Sequence, residues 1–232
     1  MGTKPPLVVE LFGQPGAGKT TLAYAAMAGS EFFSRSSLGA AWERQPKLVK
    51  ATFVARALLD VPCLAHAAKF VIGARLFRSN SLARLFRLLI KSHWIRSQPG
   101  PLLLSEGHLQ DLWSILYSSG RNEPDARQLA PLTRRLFRGL DAQIVYLELD
   151  PQSAFERIRA RQGGKSRLDR LAQEELREQI SAHAQLPAKL VEAARLAGLR
   201  VQHLDASLPI ETTVGQLRSV MQLLVSSVTD RG

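Results

Sequence analysis

Residues Gly13-Gln14-Pro15-Gly16-Ala17-Gly18-Lys19-Thr20 carry the spacing G-x-x-x-x-G-K-[ST] without a mismatch, and Thr21 adds a second hydroxyl. This is the chemistry that a polyphosphate needs. Successive backbone N–H groups in a glycine-rich turn, followed by a helix N-terminus, offer donors and the positive end of a dipole. Side chains at Gly16 or Gly18 would hold that backbone away from the phosphates. Lys19 is expected to reach the β- and γ-phosphates, and the Thr20 hydroxyl to hold Mg²⁺. All residues from Gly13 to Thr21 are therefore nucleotide-binding candidates, with Mg²⁺ as the ion that Thr20 would hold.

Two further groups could work on such a phosphate. Glu106 follows the apolar run Pro101-Leu102-Leu103-Leu104-Ser105, so it stands just past the carboxyl end of a strand, where open α/β sheets bind ligands. A carboxylate there can take a proton from an attacking hydroxyl, or join the Mg²⁺ shell beside Thr20. Asp111, five residues on, is a second candidate acid. The plainer reading of Glu106 is an exposed loop carboxylate. The other group is a run of arginines. Arg157 and Arg161 are four apart and share a helix face, and Arg167 and Arg170 follow Gly163-Gly164. A glycine-hinged segment over 157–172 could close on a polyphosphate and bring guanidinium groups to the transferring charge. The plainer reading is a solvated basic helix end and a loop.

The elements that must position these groups alternate along the chain. Strands are expected at 7–12, 101–105, 143–149 and 200–204, with a short fifth near Glu31-Phe32-Phe33. Helices are expected after the glycine turn to about Gly29, through 47–97 with breaks at Pro62 and near Ser81, and over 109–118 and 125–139. Others run from Pro151 to about Arg161, over 173–197 with a kink or division at Pro187, and over 209–227. Ser81 is the expected N-cap of the helix ending near Ile95. Alternation of this kind predicts an α/β fold with a mostly parallel sheet, as one domain over 1–232.

The chain has 232 residues and a formal net charge of +11, so its partners should be anionic. A single cysteine, Cys63, excludes an internal disulfide framework and fits a reducing, cytoplasmic setting. Met1 to Pro6 lead straight into the first strand, so no signal peptide is expected. The five histidines show no metal-ligand spacing with Cys63, and His108 is expected at the surface. Trp42, Trp94 and Trp113 are expected to pack rather than to stack on bases. Between Phe70 and Arg96, cations and apolar residues alternate at helical spacing. This segment reads as two amphipathic helices packed on the sheet, as an anionic acceptor site, or as a peripheral membrane contact.

The phosphate loop, the acid at Glu106, the unit Val145-Tyr146-Leu147-Glu148-Leu149-Asp150-Pro151 and the arginine segment 157–170 together resemble the thymidylate-kinase-like P-loop kinases. The resemblance spans residues 7 to about 170. It implies a P-loop NTPase three-layer sandwich with about five parallel strands and a lid, and an acceptor pocket built from helices within about 47–97. It places Lys19 on the phosphates, Thr20 on Mg²⁺, and Arg157 and Arg161 in the lid, and sets Asp205, Ala206 and Ser207 where such folds touch adenine. Ser105-Glu106-Gly107-His108 stands where thymidylate kinases carry Asp-Arg-[Tyr/His], and Glu10 lies two residues away from their Glu-Gly position. The acceptor is thus open among another nucleoside, a sugar, an amino compound and a lipid-linked alcohol.

The reading that unites these features is an ATP- and Mg²⁺-dependent phosphotransferase for a small hydroxyl or phosphate acceptor, with Lys19, Glu106, Arg157, Arg161 and Arg167 in catalysis. Its partners would be nucleotide and an anionic small molecule, and a homodimer is compatible. The alternative is a regulatory P-loop NTPase with a macromolecular or membrane partner, although the chain lacks Asn-Lys-x-Asp and an apolar run ending in Asp-Glu. Nothing in the sequence signals nucleic acid strongly.

Overall fold

Leu7–Phe12 (β1) is apolar except at Glu10, and all six residues are buried, as a strand covered on both faces must be. The computed structural model describes residues 5–28, 34–35, 42, 44–119, 124–161 and 168–229. Its sheet adds Ser34–Arg35 (β2), Leu102–Leu104 (β3), Asp141–Glu148 (β4) and Arg200–Asp205 (β5). All pairings are parallel in the order β2-β3-β1-β4-β5, which puts β1 in the middle. Val8 lies opposite Leu102 and Ala142. The fifth strand is a two-residue edge at 34–35, whereas residues 31–33, where it was expected, lie outside the described residues.

The period of two in β1 divides the core. Leu7, Val9 and Leu11 join one apolar cluster; Val8 and Phe12 join the other. Lys19–Met27 (α1) and Ile210–Thr229 (α10) cover the first face. The second carries Lys47–Leu59 (α2), Val61–Gly73 (α3), Ser79–Arg96 (α4), His108–Ser119 (α5) and Ala126–Leu136 (α6). Gln173–Ala182 (α8) and Leu186–Leu196 (α9) complete it. Pro151–Arg159 (α7) bridges the two, with Ala154 in one cluster and Phe155 and Ile158 in the other. This is the expected three-layer α/β arrangement.

Local chemistry sets several helix starts. Asp60 accepts a hydrogen bond from the Cys63 N–H (3.2 Å), and Pro62 sits in the first turn of α3. Asp150 does the same for the Ser153 N–H (2.8 Å), ahead of α7 with Pro151 at its start. The predicted break at Pro62 is thus a helix beginning. Pro187 likewise opens α9, so the long stretch expected over 173–197 is divided.

One expectation is corrected. Ser81 is not an N-cap: α4 begins two residues earlier and Ser81 is buried inside its first turn, donating its N–H to the Arg78 carbonyl (3.0 Å). In the segment 70–96, by contrast, the expected packing of amphipathic helices is found. Leu85, Leu88, Leu89, Ile90, Trp94 and Ile95 of α4 are core residues, because α4 packs between α2 and α5.

Candidate active site

β1 runs directly into the glycine turn, and α1 begins at Lys19. The turn is anchored from behind. The Gln14 amide, buried, donates to the Leu149 carbonyl at the end of β4. Gly16 has φ +88°, and a Cβ there would lie 2.9 Å from the Ala154 carbonyl of α7. The constraint at Gly16 is therefore packing against α7 as well as approach to a ligand. Lys19 folds back, its Nζ donating to the carbonyls of Gly13 (2.7 Å) and Gln14 (3.0 Å). Its pKa is pushed down to about 7, mainly by desolvation and further by the Arg161 charge, with Glu106 acting in the opposite direction. Thr20 and Thr21 are exposed at the helix start.

Across from this loop stands the β3–α5 junction. Glu106 is exposed and faces the same cavity, of about 480 Å³, as Lys19, Thr20 and Arg161. The opposite wall comes from α4 and α5 through Arg84, Gln110, Asp111, Trp113 and Ser114. Lys91 of α4 holds the junction by donating to the Glu106 carbonyl (2.8 Å) and to the Asp111 carboxylate (2.7 Å). Burial raises the pKa of Asp111, and the paired Lys91 offsets part of that. Arg84 Nη1 donates to the hydroxyls of Ser114 (3.3 Å) and Ser118 (2.7 Å), which fixes its guanidinium at the cavity rim. Two fully buried polar atoms of residues on this wall, Gln110 Oε1 and Trp113 Nε1, have no hydrogen-bond partner among the described residues.

The junction is built on a residue that local pattern does not mark. Glu10 shares the β1 face of Val8 and Phe12, so its side chain points beneath the start of α5. There its carboxylate accepts from the N–H groups of His108 (2.8 Å), Leu109 (2.7 Å) and Gln110 (3.3 Å). The charge suits a helix N-terminus, yet complete burial raises its pKa to about 7, against the lowering effects of Lys91 and the three N–H groups. Gly107 makes the contact sterically feasible: a Cβ there would stand 2.1 Å from Glu10 Cδ. His108, expected at the surface, is fully buried, with its ring edge-on to Phe137 at 4.7 Å. Burial, then the charges of Lys91 and Arg96, drive its pKa well down, so the ring is neutral.

The predicted residues divide as follows. Pro15, Gly16, Gly18, Lys19, Thr20 and Thr21 of the loop line one space with Glu106, Asp111 and Arg161, whereas Gly13, Gln14 and Ala17 are buried and do not line it. Arg161 lies just beyond α7, which ends at Arg159, its N–H donating to the Ile158 carbonyl (3.3 Å); the two arginines do not share a continuous helix face. Arg157 lies off the cavity and acts electrostatically on Asp205 instead. Ser207 also lies off it, donating N–H (2.8 Å) and hydroxyl (2.6 Å) to Asp205 at the end of β5. Arg167 and the Gly163-Gly164 pair lie outside the described residues. Gln110 and Ser114 were missed, although their i, i+4 spacing behind Glu106 would align them on one helix face.

No family model and no curated protein matches this chain. Among solved structures it is similar to deoxyadenosine kinase from M. mycoides with dCMP and a flexible dCDP bound, at 15% identity and a TM-score of 0.51. That match covers 94% of this chain and 100% of the other. The same kinase with bound dCTP gives 14% identity, a TM-score of 0.50 and coverage of 93% and 99%. A shikimate kinase from Bacteroides thetaiotaomicron gives 16% identity and a TM-score of 0.49, covering 93% and 98%. At these identities the likeness is one of fold, and it does not single out the thymidylate kinases.

Proposed function

We propose that this chain is an ATP- and Mg²⁺-dependent phosphotransferase acting on a small-molecule acceptor. One observation carries the reading: the phosphate loop with Lys19 and the acid Glu106 face each other across one cavity of about 480 Å³. That volume suits a small ligand, and its two walls are of different kinds. The loop wall offers N–H groups, Lys19 and Arg161 to a polyphosphate. The α4–α5 wall offers the Arg84 guanidinium, with Gln110, Asp111 and Ser114 beside it, to an acceptor that carries hydrogen-bonding groups. The nucleotides bound to the deoxyadenosine kinase of the same fold lend support to a nucleotide here.

In this reading Lys19 leaves the loop carbonyls and moves onto the β- and γ-phosphates, regaining its full charge. Arg161 neutralises charge on the transferring group. Glu106 orients or deprotonates the acceptor hydroxyl, since the competing acid Asp111 is already engaged by Lys91. The Thr20 hydroxyl and the Glu106 carboxylate are exposed oxygen donors on one cavity, a set that fits Mg²⁺. The ion would supply charge neutralisation at the phosphates. Arg157, Arg167 and Ser207 belong to this proposal as nucleotide-side and lid residues rather than as cavity walls.

The experiment is ADP release from Mg²⁺-ATP against nucleosides, nucleoside monophosphates, sugars, amino alcohols and lipid alcohols. A rise with one class, lost in Glu106→Gln, is expected. Slow hydrolysis indifferent to every acceptor would overturn the proposal and favour the regulatory NTPase.

A further inference from the structure

The positive charge of this chain is concentrated in one stretch. Between Arg44 and Ser105 there are eleven lysines and arginines and a single acid, Asp60, which accounts for ten of the eleven net charges. Asp60 is turned inward, its side chain 10% exposed and paired with Arg135 at 2.6 Å. The outer surface of α2, α3 and the α3–α4 turn therefore carries no exposed carboxylate.

That surface is also apolar where a soluble helix should be polar. In α3, Cys63, Ala67, Phe70 and the following Ala74 face the core at helical spacing. Opposite them Val61, Ala65, Ala68 and Ile72 recur at i, i+4, i+7 and i+11, and all four are exposed. A helix apolar all round belongs in an apolar environment on both sides. The stripe extends at each end, through Leu59 of α2 (79% exposed) and through Phe77 in the turn (67% exposed). Lys69 borders it, and the exposed Arg75 and Arg78 bracket Phe77. Arg75 stands at the helix C-terminus with φ +53°, where its N–H and that of Leu76 close onto the carbonyls of Ile72 and Val71. Glycine is the usual residue in that position, so this turn tolerates strain and keeps a cation beside Phe77.

We propose that the exposed stripe of α3, with Leu59 and Phe77 at its ends, docks on an anionic lipid surface. Apolar side chains flanked by cations, on a helix lying parallel to the surface, match the acyl boundary and the headgroups respectively. Duplex nucleic acid would use the cations and leave the stripe in water. No helix among the described residues is long and apolar enough to cross a membrane, so the contact is peripheral. Arg84 and Lys91 of α4, the helix after this turn, serve the cavity, so docking would set the acceptor wall near the headgroups.

The test is co-sedimentation of the full chain with phosphatidylcholine vesicles containing about one third phosphatidylglycerol, and with phosphatidylcholine alone. Binding only to the mixed vesicles, weakened as salt rises from about 0.1 M to about 1 M, is expected. Ile72→Glu with Phe77→Glu should lower it about tenfold or more while circular dichroism and nucleotide binding persist. Should that pair fail to fold, Phe77→Trp provides the readout, through fluorescence quenching by brominated lipid. No binding to mixed vesicles, or absence of quenching, overturns the proposal. So does full binding by the folded glutamate variant, or tighter binding to duplex DNA that ignores it. A wild-type dimer that this variant converts to monomer would assign the stripe to a second copy and overturn it too.

Discussion

Deleting the Glu10 side chain and adding one at Gly107 should damage the same joint, and doing both should cost no more than the first alone. Glu10→Ala strips the acceptor from three backbone N–H groups at the start of α5. Each buried orphan costs about 1–3 kcal/mol. The loss is offset because burying the carboxyl is itself costly, as its pKa of about 7 records. A net destabilisation of about 3 kcal/mol follows. Gly107→Ala brings a Cβ to 2.1 Å from Glu10 Cδ, 2.2 Å from Oε2 and 2.6 Å from Cγ. Carbon atoms sit comfortably at about 3.5–4 Å, so the cap must be pushed aside, again at about 3 kcal/mol. All three nearest atoms belong to Glu10. In the double variant the new methyl enters space that Glu10 has left, and the total should stay near 3 rather than 6 kcal/mol, a coupling of about 3 kcal/mol. Urea unfolding of the four proteins of this cycle, read by circular dichroism, measures it. Additive costs, or a neutral Gly107→Ala, would refute the idea that the two positions form one contact.

Lys19→Ala should lower turnover by orders of magnitude with unfolding unchanged within about 1 kcal/mol. Because Lys19 stands at about 7 and phosphates would raise it, nucleotide binding above pH 7 should take up close to one proton, and below about pH 6 almost none; calorimetry in buffers of different ionisation enthalpy counts it. Glu106→Gln should reduce kcat by about 10²–10⁴, whereas Asp111→Asn, its charge already engaged by Lys91, should cost at most about tenfold in steady-state assays. Glu10 has its folded pKa raised above the unfolded value, so its contribution to stability is present below pH 4.5 and is lost as pH rises through about 7; Glu10→Gln should flatten that part of the stability–pH curve. Arg75→Gly should relieve the left-handed backbone and raise stability by about 1 kcal/mol, or about 2–4 °C in Tm by calorimetry.

What the sequence made legible was local or rested on a rule of topology. The loop 13–20 is one local turn whose place between β1 and α1 follows from its own spacing, and Glu106 could be set past the end of β3 because strand ends mark the ligand side of parallel sheets. Contacts between distant segments escaped. Glu10 reads as a polar interruption in an apolar strand until residues 98 to 100 positions later arrive to be capped by it. His108 reads as a surface histidine because nothing nearby shows that α5 begins under Phe137. Arg157 and Arg161 looked equivalent on spacing, but α7 stops between them and they face different neighbours. The apolar residues at 85–95 and at 58–77 look alike in composition; packing buries the first group and leaves much of the second outside.

The position of β1 also governs how the chain can be made. Leu7–Phe12 emerges well before its two partners, which begin at Leu102 and Asp141, on opposite sides. At about 5–20 residues per second, this six-residue apolar strand waits several seconds for its first neighbour and longer for its second. Contacts across so many residues fold slowly. During that interval the nascent chain presents an unpaired apolar strand beside a helical, strongly basic stretch, and early packing of α1 can cover only the face of Leu7, Val9 and Leu11, not the strand's two edges.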